Sequence, residues 1–70
     1  MKMDKKIVLV LADVLEREGI SRYELAKRTG TQYQIIDNYY KNKLTRYDKD
    51  ILLGICLALD CEVGDIVKIV

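Results

Sequence analysis

The side chains able to read or grip another molecule gather in the middle of this 70-residue chain. Gln32, Gln34 and Asn38 carry amides, each a flat group with donors and an acceptor side by side. Such a group pairs bidentately with the edge of an adenine, and an aromatic or apolar edge such as that of Tyr33 can meet a thymine methyl. Arg22, Lys41, Lys43 and Arg46 supply cations around them, with the Thr45 hydroxyl among the last of these. Groups for making and breaking bonds are scarce. There is no histidine, the only serine is Ser21, and no Gly-rich phosphate loop occurs. Neither catalysis nor a cofactor is expected.

Two further sets of reactive groups read as structural. Cys56 and Cys61 are five apart, which fits neither the C-x-x-C of a zinc knuckle nor a disulfide framework. Apolar neighbours on Cys56 and a helix-end setting for Cys61 predict inert, reduced thiols. Asp60, Glu62 and Asp65 complete no calcium loop and predict a solvated acidic end rather than a metal site.

Net charge is only +1, but its distribution is uneven. Residues 20–47 hold six basic side chains (Arg22, Lys27, Arg28, Lys41, Lys43 and Arg46) against Glu24 and Asp37. Residues 48–70 hold Lys49 and Lys68 against five acidic ones, and residues 1–19 balance. The chain is thus polarised into a basic middle and an acidic tail, a pattern that chance clustering on solvated faces would also give. No apolar stretch is long enough to span a membrane. Met1-Lys2-Met3-Asp4-Lys5-Lys6 has a basic look, but no cleavage site follows the apolar Ile7 to Ala12, so no signal peptide is expected and the location predicted is cytoplasmic.

The elements that must position these groups are mostly helices, with no proline and four glycines in the chain. Leu11, Val14 and Leu15 recur at helical spacing and predict a first helix to about Glu18, ended by Gly19. The β-branched residues Ile7, Val8 and Val10 near one end and Ile66, Val67, Ile69 and Val70 at the other leave open a short two-stranded ribbon. Ser21 and Glu24 make an S-x-x-E capping box for a second helix, with Ile20 set to staple onto Leu25, and Gly30 stops it. Thr31 is the expected N-cap of a third helix, with Gln34 at the capping-box position. At about 100° per residue, Ile35, Ile36, Tyr39 and Tyr40 share a core side. Gln34, Asp37, Asn38 and Lys41 share the other, with Tyr33 on the border. A fourth helix capped by Asp48 buries Leu52, Ile55, Cys56 and Leu59, leaving Leu53 and Leu57 off that stripe. A last short turn or helix runs from Val63 to Val67.

Two short helices joined at Gly30-Thr31 fit a helix-turn-helix over about residues 22–40. Ala26 is small enough for close crossing, Gly30 takes the tight turn, and Ile36 locks the following helix. The third helix, about residues 32–41, then presents its amides from the half that enters a major groove.

Ser21-Arg22-Tyr23-Glu24-Leu25-Ala26-Lys27-Arg28-Thr29-Gly30 resembles the start of that motif in the phage Cro and lambda-repressor-like (XRE) family. Tyr40-Lys41-Asn42-Lys43, Ile55-Cys56-Leu57-Ala58-Leu59-Asp60-Cys61 and Gly64-Asp65-Ile66 extend the resemblance over nearly the whole chain, most closely to a compact bacterial subgroup. It implies an all-α, five-helix, lambda-repressor-like domain over residues 1–70, binding double-stranded DNA as a dimer and regulating transcription, as a repressor. By position it implies base reading by Gln32, Tyr33, Gln34 and Asn38. It implies phosphate gripping by Arg22, Lys41, Lys43, Thr45 and Arg46. Some residues depart from the family pattern. Tyr39 replaces an aliphatic, making its contact looser or hydroxyl-bonded. Asp37 puts a carboxylate on the reading face, either to accept from a cytosine amino group or to repel DNA. Leu53 and Leu57 stand in for polar residues, widening the core or making a dimer patch. The rival reading is a protein-interaction module, an antitoxin or adaptor, on the same fold. The amide-rich outward face of the third helix favours DNA over it.

Overall fold

The computed structural model describes residues 4–70; the basic start Met1-Lys2-Met3 lies outside them. The order is β1 (Ile7–Leu9), α1 (Leu11–Glu18), α2 (Arg22–Thr29), α3 (Tyr33–Tyr40), α4 (Lys49–Leu59), α5 (Val63–Ile66) and β2 (Val67–Ile69). Among the described residues the five fully buried large side chains are Leu11, Leu25, Ile36, Ile55 and Ile66, one from each helix. They form one core, so each helix is held by tertiary packing rather than by its own short length.

Helix ends follow local chemistry. Gly19 and Gly30 both take φ of 68°, where a side chain would be strained. Ser21 Oγ accepts from the Glu24 amide at 3.0 Å. The Glu24 carboxylate does not return to the cap but takes Arg28 Nε at 3.0 Å, so only half the capping box forms. Asp48 caps α4 as expected, its Oδ1 accepting from the amides of Asp50 and Ile51 at 2.8 and 3.2 Å.

The N-cap of α3 is Gln32, not Thr31, and its side chain makes no capping bond. Thr31 is already committed to closing α2. Its amide donates to the Ala26 carbonyl at 3.1 Å while the Gly30 amide donates to Lys27 at 3.3 Å, the paired bonds of a Schellman turn. α3 therefore starts one residue later than the sequence suggests.

The purely helical expectation is also approximate, because the ends of the chain form the ribbon. β1 and β2 pair antiparallel with Ile7 opposite Ile69, Val8 opposite Lys68 and Leu9 opposite Val67. Reciprocal 2.9 Å bonds between Lys6 and Val70 extend it. An isolated two-stranded ribbon is marginal in water. Here Leu9 is buried in the core, and Asn42 clamps its backbone from both sides. The Asn42 Oδ1 accepts from the Leu9 amide at 2.8 Å and its Nδ2 donates to the Leu9 carbonyl at 2.9 Å. Asn42 reaches this position from a left-handed backbone, φ 58°, a conformation asparagine tolerates better than most residues. Asn42→Ala removes both bonds and retains the backbone strain. It is expected to cost about 1–3 kcal/mol, read as a fall in thermal midpoint.

Candidate nucleic-acid interface

The outer face of α3 carries two groups of side chains. On one flank Gln34 and Asn38, one helical turn apart, are joined by a 3.1 Å bond from Gln34 Nε2 to Asn38 Oδ1. That bond fixes both amide planes and leaves the Gln34 carbonyl oxygen and the Asn38 amino group free to meet a ligand. Gln32 and Tyr33 are exposed at the start of the helix. Beneath them Ile36 and Tyr39 are buried, and Ile35 lies at the rim rather than inside. The Tyr39 hydroxyl accepts from the Asp48 amide at 2.8 Å, and its ring stands 6.1 Å from that of Tyr47. The tyrosine thus ties α3 to the start of α4 through its hydroxyl.

The other flank differs from expectation. Asp37 is not on the reading face; it is 7% exposed, turned toward the first turn of α2. Its Oδ1 accepts from Arg22 Nη1 at 2.5 Å and its Oδ2 faces Lys41 Nζ at 3.2 Å. The Arg22 guanidinium lies 4.4 Å from the centre of the Tyr40 ring and 6.0 Å from that of Tyr33. A helical wheel drawn for α3 alone cannot see this, because α2 closes on that flank. Burial works to raise the Asp37 pKa, but the bonds and charges of Lys41 and Arg22 outweigh it and leave the carboxyl below its ordinary range. Asp37 is therefore a charged partner at neutral pH, and neither a cytosine acceptor nor a free carboxylate facing a ligand.

Lys43, Thr45 and Arg46 are exposed on the loop between α3 and α4. The loop leaves α3 through a 3.0 Å bond from the Lys43 amide to the Asn38 carbonyl, and Leu44, Arg46 and Tyr47 then lie beside Ile35 and Tyr39. Five of the expected side chains thus sit on α3 or its two caps, Arg22 joins them from α2, and the loop lies alongside. The signals missed in the sequence were the burial of Asp37 and the clamp at Asn42, both made across long sequence separations.

The thiols lie away from this face, at the end of α4. There the amide of Cys61 donates to the carbonyl of Cys56 at 3.0 Å. Burial pushes both thiols up, Cys61 to about 11, with Cys56, Asp65 and Asp60 adding to the rise and Glu62 and Asp65 acting on Cys56. Both stay protonated at neutral pH, which disfavours metal ligation and nucleophilic attack.

The sequence profile of the Cro/C1-type HTH DNA-binding domain matches residues 10–70, from the end of β1 to the end of the chain. The chain belongs to this family. No curated protein matches it. In this Cro/C1-type domain α3 is the helix whose outer face carries the paired amides. No helix among the described residues is long and apolar enough to cross a membrane.

Proposed function

We propose that residues 1–70 act as one helix-turn-helix unit that binds double-stranded DNA in the major groove and regulates transcription by occupying an operator, as a repressor. The observation that carries this is the ordered amide pair of Gln34 and Asn38 on the outer face of α3, flanked by cations on both sides. Gln32, Tyr33, Gln34 and Asn38 read base edges, amides to adenine and the Tyr33 ring to a thymine methyl. Arg22, Lys41, Lys43, Thr45 and Arg46 hold phosphates, which sets register and affinity. No chemical step is involved; the effect is occupancy.

The DNA-bound species is a homodimer joined through α4. Leu53 and Leu57 are 56% and 72% exposed, with Val63 of α5 beside them at 49%. Lys49 lies one turn before Leu53, and Asp60 and Glu62 follow Leu57. Two α4 helices packed antiparallel on these leucines would set Lys49 of each copy against the acidic end of the other. The same leucines of both copies meeting each other make the isologous contact of a two-fold dimer. Two recognition helices then meet successive major grooves roughly 34 Å apart on a palindromic site.

Titration of duplex DNA at rising salt tests the reading. Affinity should fall steeply and log-linearly with salt as counterions return to the phosphates. Lys43→Ala should weaken binding to every duplex alike and reduce the salt slope by about 1. Salt-independent binding, or a Lys43→Ala loss confined to one sequence, contradicts the assignment.

A further inference from the structure

The two cations placed nearest α3, Arg22 and Lys41, end on the same carboxylate. Asp37 is buried and holds Arg22 Nη1 at 2.5 Å and Lys41 Nζ at 3.2 Å. The side chain of Arg22 remains one-third exposed and that of Lys41 nearly half exposed. Arg22 uses one of its five N–H groups on Asp37 and places its guanidinium carbon 4.4 Å from the centre of the Tyr40 ring, leaving donors free toward solvent. Lys41 likewise spends one contact and retains donors.

The cluster carries a net charge of +1, because the carboxylate cancels one of the two cations. A protein selected only for attraction to phosphate gains by losing that carboxylate. Its buried, doubly paired position points to a role in geometry rather than in charge. Asp37 is also one residue from Asn38, whose side chain is tied to Gln34. The same stretch of α3 thus fixes the amide pair and, through Asp37, the two flanking cations.

We infer that Asp37 is a positioning residue that sets the register between phosphate gripping and base reading, by holding Arg22 and Lys41 at fixed places relative to Gln34 and Asn38. This rests on the DNA-binding reading above. Non-specific binding depends on charge and tolerates loose register, whereas a specific complex needs the phosphate contacts and the base contacts to be made at once. Charge-preserving changes at the cluster should then weaken only the specific complex.

Asp37→Glu keeps the charge and lengthens the arm by one methylene. The full-length variant, with its fold checked by circular dichroism, is titrated with a duplex selected by the unaltered protein and with a scrambled duplex, over a range of salt. Expected is a fall of about tenfold on the selected duplex, the size of one lost charge-assisted hydrogen bond. Affinity for the scrambled duplex and its salt slope should be unchanged. Selected-site affinity equal to that of the unaltered protein, or equal losses on both duplexes in a folded variant, overturns the positioning role. If the unaltered protein selects no duplex at all, the DNA-binding reading fails first.

Discussion

Replacing Leu53 and Leu57 together by aspartate is expected to convert the proposed dimer to a monomer and to lower operator affinity by about a hundredfold or more. Both side chains are more than half exposed, so within one copy the substitutions remove little packing and should shift fold stability by only about 0.5 kcal/mol each. The loss arises from linkage. A dimer presents its second recognition helix at high effective concentration once the first is seated, and a monomer presents none. Two buried aspartates per copy, facing their equivalents across a two-fold axis, also repel. Sedimentation measures the oligomeric state and a binding titration the affinity. A pair of variants that stays dimeric, or a monomer that binds as tightly as the parent, removes α4 from the interface. Charge reversal of Lys49 to glutamate should weaken association as well, since it then faces the partner's acidic helix end.

Gln34→Ala is expected to relax base preference at one position of each half-site, costing about 1–3 kcal/mol at the cognate base pair and little elsewhere. Gln34 is exposed and capped by no structural role other than its 3.1 Å bond to Asn38, so the fold should be undisturbed. Alanine removes the acceptor that faces the groove and also frees Asn38 to rotate, which lowers its selectivity in turn. Affinities measured on a panel of single-base variants of the site report this directly. A loss of equal size on every duplex would place Gln34 among the phosphate contacts and displace the amide pair as the reader.

The parts of this fold that were legible in the sequence are those governed by near neighbours. Ser21, Asp48, Gly19 and Gly30 mark helix boundaries through bonds made within a few residues. The buried residues of α1 and α4 follow helical spacing because each of those helices packs on one side. What the sequence left open or misplaced depends on partners far along the chain. Thr31 looked like a cap but is spent on the turn that ends α2. The ribbon requires the two ends of the chain to meet, and Asn42 holds it through a residue 33 positions away. Asp37 sits on the polar side of α3 when that helix is considered alone, yet α2 closes over it with Arg22. The amide pair was legible as residue types at i and i+4; that the two amides bond to each other follows only from their rotamers. Leu53 and Leu57 were legible as leftovers of the α4 pattern, and their exposure is what gives them a proposed use.

The most direct test of the central claim is selection from randomised duplex DNA by the full chain, repeated at low and moderate salt. The account predicts enrichment of a short palindrome with half-sites one helical turn apart, and loss of that enrichment as salt rises. No enrichment, together with no salt-sensitive binding to bulk duplex, would contradict it and turn the exposed leucine face of α4 toward a protein partner instead.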